Sequence, residues 1–514
     1  MQVFETVLAL LLAATVLSTI ARRVGVPYPT LLAIGGALLA FVPGAPRLDL
    51  PPELILALFV APVLLDASYD ASLRDLRRNW VAVSSLALVA VALTTAAVAY
   101  CAHQILPDMP WAAAVALGAL VAPPDAVAAL AVLRQVHPPH RMRVVLEGES
   151  LLNDASALLI YRLAVGAVAA GGFTLAGAVP TFALVFAGSV VAGWLLARPV
   201  AMLTERMPDA PSSVIVQFVS TFGVWIGAEH LGLSGVVTIV VFGLTLARQT
   251  RSPLPAHVRV PSFAIWETVA VVLNVLAFTL IGLQIRPILD NVGTQRLRYL
   301  LGALAILAVV VVVRLAWVFA HHGTVKLKDR LFSPRATDDP TPPATAKDAL
   351  AIGWSGMRGI VTLAAAMALP AAFPYRDFIQ LTAFIVVLGT LVLQGLTLSP
   401  LLRLLGLPSD SVVERELAMA RKVALKAAMA ELGDDHTPAA DRLRQEYADA
   451  LGRASHGGDA RATPDNMLHR RLVRASRAAV DGLRTTDAIG DDAYRRIEEE
   501  LDWVELSAGI EGRA

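Results

Sequence analysis

Cysteine is almost absent. The chain has one, Cys101, so no intrachain disulfide framework and no cysteine-based metal cluster is available to it. Charge is scarce: 17% of the 514 residues are Asp, Glu, Lys or Arg, and the net charge is +1, which provides no bulk attraction for nucleic acid. Aromatics make up only 6%. Gly-x-Ser-x-Gly, His-Glu-x-x-His and Gly-x-Gly-Asp are all missing, which removes the usual signatures of a serine hydrolase, a zinc protease and an intramembrane aspartyl protease. The first residues, Met1-Gln-Val-Phe-Glu5, carry no basic n-region, so the first apolar run reads as a retained helix rather than a cleaved signal.

What is abundant is apolar length. Hydrophobic residues make up 56% of the chain. Runs of about bilayer-spanning length recur between residues 3 and 403. We count thirteen, with the fifth at 111–133, the sixth at 144–170, the seventh at 174–203 and the twelfth at 348–371. Basic residues cluster in the loops after odd-numbered spans (Arg74, Arg77 and Arg78 in one, Lys326, Lys328 and Arg330 in another) and are sparse after even-numbered ones. The positive-inside rule then places the N-terminus outside and the C-terminus in the cytoplasm. The fold expected is an all-α membrane protein of about thirteen transmembrane helices at 1–403, followed by a small cytoplasmic helical tail at 404–514. In the tail, Ser411-Val-Val-Glu414 reads as a capping box, and amphipathic helices are expected to about 432 and near 438–455, 465–484 and 490–507.

Two spans break the helix rules. The fifth contains Ala122-Pro-Pro-Asp125, which removes two backbone donors. The twelfth contains Gly353-Trp-Ser-Gly-Met-Arg-Gly359. Freed backbone groups inside a membrane are tolerated where they are buried in protein or line a cavity. Two interrupted spans seven apart predict inverted repeats, about 1–170 and 212–403, around a midplane site.

The polar residues gather beside these breaks. Glu147-Gly-Glu-Ser-Leu-Leu-Asn-Asp154 opens the sixth span, and on a helix Glu149, Ser150, Asn153 and Asp154 share one side. Asp125 and Asp154 are the candidate ligands of a hard monovalent cation, and the same carboxylates can take a proton instead. The bland alternative for either is a helix N-cap. Asn153 has two options, to donate to the Asp125 carboxylate or to give its oxygen to the ion. Ser150 has two as well, ion ligand or bond to its own helix. Glu149 and Arg358 are expected to pair across the core, since each alone would be a costly intramembrane charge. Asp66, Glu267, Asn274 and Arg314 read as pins between helices or as a funnel lining. His137 and His140 sit in a basic loop, where solvation outweighs a pH-sensing role.

Ala122-Pro-Pro-Asp-Ala-Val-Ala128, Leu146-Glu-Gly-Glu-Ser-Leu-Leu-Asn-Asp-Ala-Ser156 and Gly353–Gly359 resemble the signature segments of bacterial sodium/proton antiporters. The branch they look like is the NhaP-type branch of the monovalent cation:proton antiporters, related to animal sodium/proton exchangers. The resemblance covers about residues 5–405. It implies a homodimer with a dimerisation domain and a mobile, elevator-like core, transporting Na⁺, Li⁺ or K⁺ against H⁺ with no cofactor. It implies Asp125, Ser150 and Asp154 as ion ligands, Asn153 as support for Asp125, and a Glu149–Arg358 core pair. Asn before Asp154 resembles the electroneutral, one-for-one group. Pro124 departs from the pattern, which often has Thr there. An intramembrane aspartyl protease using both aspartates, or a passive cation channel, are the competing expectations.

Overall fold

The structure is a computed structural model. It describes the chain except residues 1, 44–50, 137, 170–174, 208, 250–255, 333–344, 408–411, 434–435, 456–463, 487–490 and 508–514. His137, Ser411 and most of the Pro/Thr/Asp-rich stretch after residue 333 therefore lie outside the described residues. Everything regular among the described residues is helical. The chain forms two compact units, residues 1–409 and 410–514.

In the first unit the helices are α1 (Gln2–Val24), α2 (Tyr28–Leu39), α3 (Pro52–Ile55), α4 (Ala61–Asp70), α5 (Leu73–Arg78), α6 (Trp80–Ser84), α7 (Val91–Ile105), α8 (Trp111–Val121) and α9 (Ala126–Val136). Then come α10 (His140–Ala169), α11 (Leu175–Glu205), α12 (Ala210–His230), α13 (Gly235–Gln249), α14 (Ala256–Leu283), α15 (Ile285–Asn291), α16 (Arg296–Phe332), α17 (Ala346–Trp354), α18 (Ile360–Met367) and α19 (Arg376–Leu405). Among the described residues, seven helices are long and apolar enough to cross a membrane, and four shorter ones are apolar. Large side chains such as Leu12, Leu184 and Val219 face outward, as a lipid-solvated surface requires.

Two π turns, Leu56–Val60 and Ser85–Ala90, join α3 to α4 and α6 to α7. A π turn leaves a carbonyl without its helical donor. The Ser156 hydroxyl on α10 donates to the carbonyl of Ala87 at 2.8 Å, tying α10 to the second of these turns. Where backbones meet, small residues permit it. A Cβ on Gly36 would lie 2.3 Å from the Thr279 carbonyl and one on Gly282 2.3 Å from that of Ala33, so α2 and α14 touch main chain to main chain.

Two groups of helices share α10. One cluster joins α7, α8, α16, α18 and α19 through Val98, Leu117, Ile306, Ala365 and Phe378, with Tyr161 of α10. The other joins α4, α12, α13 and α14 through Leu64, Trp225, Val240 and Trp266. Leu151 and Ala155 of α10 pack into this second cluster. At these two residues the contact between α10 and the second group is apolar.

In the second unit, α20 (Val412–Glu431) packs on α21 (Pro438–Ser455), and α22 (Pro464–Thr485) on α23 (Asp491–Ser507). These bounds fall within a residue or two of the expected tail helices. Arg477 of α22 donates to Asp502 and to Glu505 of α23.

Candidate cation- and proton-binding site

Both expected breaks are present, and they meet. α8 stops at Val121 before the prolines, and α9 restarts at Ala126. α17 stops at Trp354, and α18 restarts at Ile360. The backbone N–H of Asp125 donates to the carbonyl of Met357 at 2.6 Å, joining one break to the other. Gly359 has to be glycine: a Cβ there would lie 1.8 Å from Oδ2 of Asp125.

Each break frees carbonyls at a helix C-terminus, where positive charge is favoured. An arginine meets each set. Arg358 is fully buried. Its Nε donates to Val121 at 3.0 Å, Nη2 to Ala122 at 3.2 Å and Nη1 to Gly356. Its backbone N–H donates to the Thr390 hydroxyl on α19 at 3.0 Å. Arg314 of α16 donates to the carbonyls of Gly353 and Ile352, both at 3.2 Å. It also holds Glu149, through Nη1 at 2.5 Å and Nη2 at 2.9 Å.

This corrects the expected Glu149–Arg358 pair. Arg358 spends its guanidinium on carbonyls freed by the breaks, and Glu149 takes Arg314. A signal for this was present: Arg314 is an isolated cation inside the apolar α16, and such a charge needs an anion.

Asn153 and Asp154 sit on the α10 face beside the crossing. Asn153 Nδ2 donates to the carbonyl of Pro124 at 3.0 Å, so it holds the break one residue before Asp125 rather than the Asp125 carboxylate itself. A carbonyl accepts only, so this bond fixes the amide's orientation and turns Oδ1 away. That oxygen is buried and has no partner among the described residues. Asp154 is 7% exposed and has Asp125 as a charged neighbour. Asp125 is half-buried, and its Oδ1 accepts from the N–H of Val127 at 2.8 Å, so it also caps α9. Ser150 lies half-buried one turn before Asp154. Oxygen donors of this kind are what a hard monovalent ion takes. Among the described residues no three His, Cys, Asp or Glu side chains gather as a resident metal centre would.

Other polar groups divide. Glu147 pairs with Arg143 at 2.7 Å on the outer side of α10. Asp66 lines a separate cavity of about 300 Å³ with Phe242 and Trp266, which neither Asp125 nor Asp154 borders. Asp75 of α5 had not stood out in the sequence. It accepts from His140, the first residue of α10, at 3.3 Å and from Arg74 at 3.3 Å. Burial alone would raise the Asp75 carboxyl. The Ser72 hydroxyl, the His140 ring and Arg74 outweigh it and hold the carboxyl below the usual carboxylate range.

A family profile described as the transmembrane sodium/hydrogen exchanger matches residues 7–404. The chain belongs to this exchanger family. An uncharacterized Na⁺/H⁺ exchanger of Mycobacterium tuberculosis is 30% identical over 97% of the chain and 95% of its own length. The low-affinity Na⁺/H⁺ antiporter NhaS1 of Synechocystis is 31% identical over 85% of the chain and 81% of its own length. A Bacillus pumilus relative, named a sodium, potassium, lithium and rubidium/H⁺ antiporter, is 28% identical over 87% of the chain and 69% of its own length. The fold is similar to that of the sodium proton antiporter MjNhaP1 of Methanocaldococcus jannaschii, with a TM-score of 0.59 over 79% of the chain and 100% of that protein, at 17% identity. As an exchanger the chain is a multi-pass membrane transporter, and the crossed breaks lie within the segment the family profile covers.

Proposed function

We propose that this exchanger binds its cation and its proton alternately at Asp154, with Asp125 as a second ion ligand, one ion for one proton. The observation that carries the reading is the buried, unpartnered oxygen of Asn153, the residue before Asp154, whose amide nitrogen holds the Pro124 carbonyl one residue before Asp125. A site that holds either a cation or a proton, but not both, couples the two flows without further machinery. Ser150 supplies a further oxygen. Pro124 brings no hydroxyl at this position, and its carbonyl accepts from Asn153.

Thirteen crossings in two inverted repeats, with the N-terminus outside and the C-terminus cytoplasmic, fit the loop charges. The apolar face of Leu151 and Ala155 against α4 and α13 supports a core, built around α10, that slides against the scaffold of a homodimer. The test is proton movement in proteoliposomes on addition of Na⁺, Li⁺ or K⁺, with the membrane potential clamped and then free. One-for-one exchange predicts rates that do not respond to the clamp. Currents driven by voltage alone would point to a channel. Because proton and cation compete, the half-saturating Na⁺ concentration is expected to rise as pH falls, and a flat profile from about pH 6 to 9 would remove the competition.

A further inference from the structure

α10 carries two adjacent residues that reach in opposite directions. Tyr161 donates its hydroxyl to the carbonyl of Ala365 in α18, on the core side. Arg162 reaches the scaffold: its Nη2 donates to both carboxylate oxygens of Glu229, each at 2.7 Å, and its Nη1 to the carbonyl of Leu233 at 3.3 Å. Glu229 lies in the last turn of α12, and its seat is tightly built. The turn beyond it passes through Gly232 in the left-handed region, and Leu233 N–H returns to Ala228 at 2.9 Å. Gly235 N–H donates to Glu229 Oε1 at 3.0 Å. Ser234 N–H donates to the Ser189 hydroxyl on α11 at 2.9 Å. The carboxylate thus belongs to a fixed corner of three scaffold helices.

Three polar contacts nearer the middle of the same helix run elsewhere: Glu149 to Arg314, Asn153 to Pro124 and Ser156 to Ala87. Towards the scaffold α10 presents Leu151 and Ala155 against apolar side chains. Apolar packing holds a register only through side-chain fit, without directional bonds. The three-bond contact of Arg162 adds them.

We infer that Arg162 and Glu229 are positioning residues. Their pair sets the register of the helix that carries Asp154 against the scaffold, and it opens once in every exchange cycle. This rests on the reading above that the α10 core moves. Arg162 follows Asp154 by eight residues, about 12 Å along the helix, so the pair acts through the helix and not on the ion.

The test uses the full chain in proteoliposomes, with Cys101→Ser as background. Arg162→Cys with Glu229→Cys is joined by a short bifunctional thiol reagent with a reducible link. Cross-linking is expected to stop Na⁺/H⁺ exchange and reduction to restore it; cross-linked protein exchanging at the uncross-linked rate would overturn the inference. Exchange before cross-linking, and its loss with Asp154→Asn, tests the transport reading separately in the same preparation. A second arm needs no cross-link. Glu229→Gln is expected to move the half-saturating Na⁺ concentrations measured from the two faces in opposite directions, severalfold. An unchanged ratio in Glu229→Gln overturns the assignment.

Discussion

Glu149 and Arg314 face each other in the interior with two bonds, at 2.5 and 2.9 Å, and 1% and 3% of their side chains exposed. The same guanidinium closes the end of α17 through Gly353 and Ile352. One residue therefore neutralises Glu149 and caps a broken helix.

Arg314→Met leaves Glu149 buried without its ion partner, which costs roughly 3–5 kcal/mol. Glu149→Leu combined with Arg314→Met is expected to recover part of that. Thermal unfolding of the purified variants gives the coupling energy between the two positions. Coupling of Glu149 to Arg358 as large as that to Arg314 would contradict the pairing.

Gly359→Ala places a methyl where the Asp125 carboxylate lies. Relief requires moving Asp125 or the α18 start, a strain of about 1–3 kcal/mol. Exchange is expected to fall at least tenfold while the protein still assembles in the membrane. Rates in vesicles normalised to protein amount check this, and wild-type rates would contradict it.

These break residues were the most legible part of the chain. Pro123-Pro124 cannot continue a helix, and the glycines of 353–359 mark the second break, so Asp125 and Asp154 could be placed beside two interruptions from residue types alone. The tail helices were equally plain, since Gly457-Gly458 and Pro464 punctuate an otherwise helix-forming composition. Partner choice was only half legible: the isolated Arg314 called for an anion, without saying which. Arg314 and Arg358 competed for one glutamate, and only the register of α16 against α10 decides between them. The two π turns lie in apolar runs with the composition of any α-helix. Arg162 and Glu229 resemble charges that snorkel at the ends of apolar runs, and their pairing depends on the turn from Glu229 to Gly235.

Asn153→Ala removes both the bond to Pro124 and the free Oδ1. The half-saturating Na⁺ concentration is expected to rise roughly tenfold, equivalent to ~1.4 kcal/mol of binding. Asn153→Leu is expected to behave the same. Initial rates across a Na⁺ series distinguish this from a change in maximal rate alone, which would contradict Asn153 as an ion ligand.

Asp75 gives a pH dependence of stability. Its folded carboxyl titrates below the unfolded one, so its contribution is fully present above the ordinary carboxylate range. It is lost as pH falls through the lowered folded value. Asp75→Asn is expected to lower the thermal midpoint at neutral pH and to have a shrinking effect as the solution is acidified through the carboxylate range. A wild-type-to-variant gap that widens on acidification would reverse the sign.

The central claim is that Asp154 is the group on which cation and proton alternate. The most direct measurement is Na⁺-driven proton movement in proteoliposomes containing equal amounts of wild-type protein and Asp154→Asn. Loss of exchange in the variant, with an unchanged thermal midpoint, is the predicted result; retained exchange in Asp154→Asn would contradict the account.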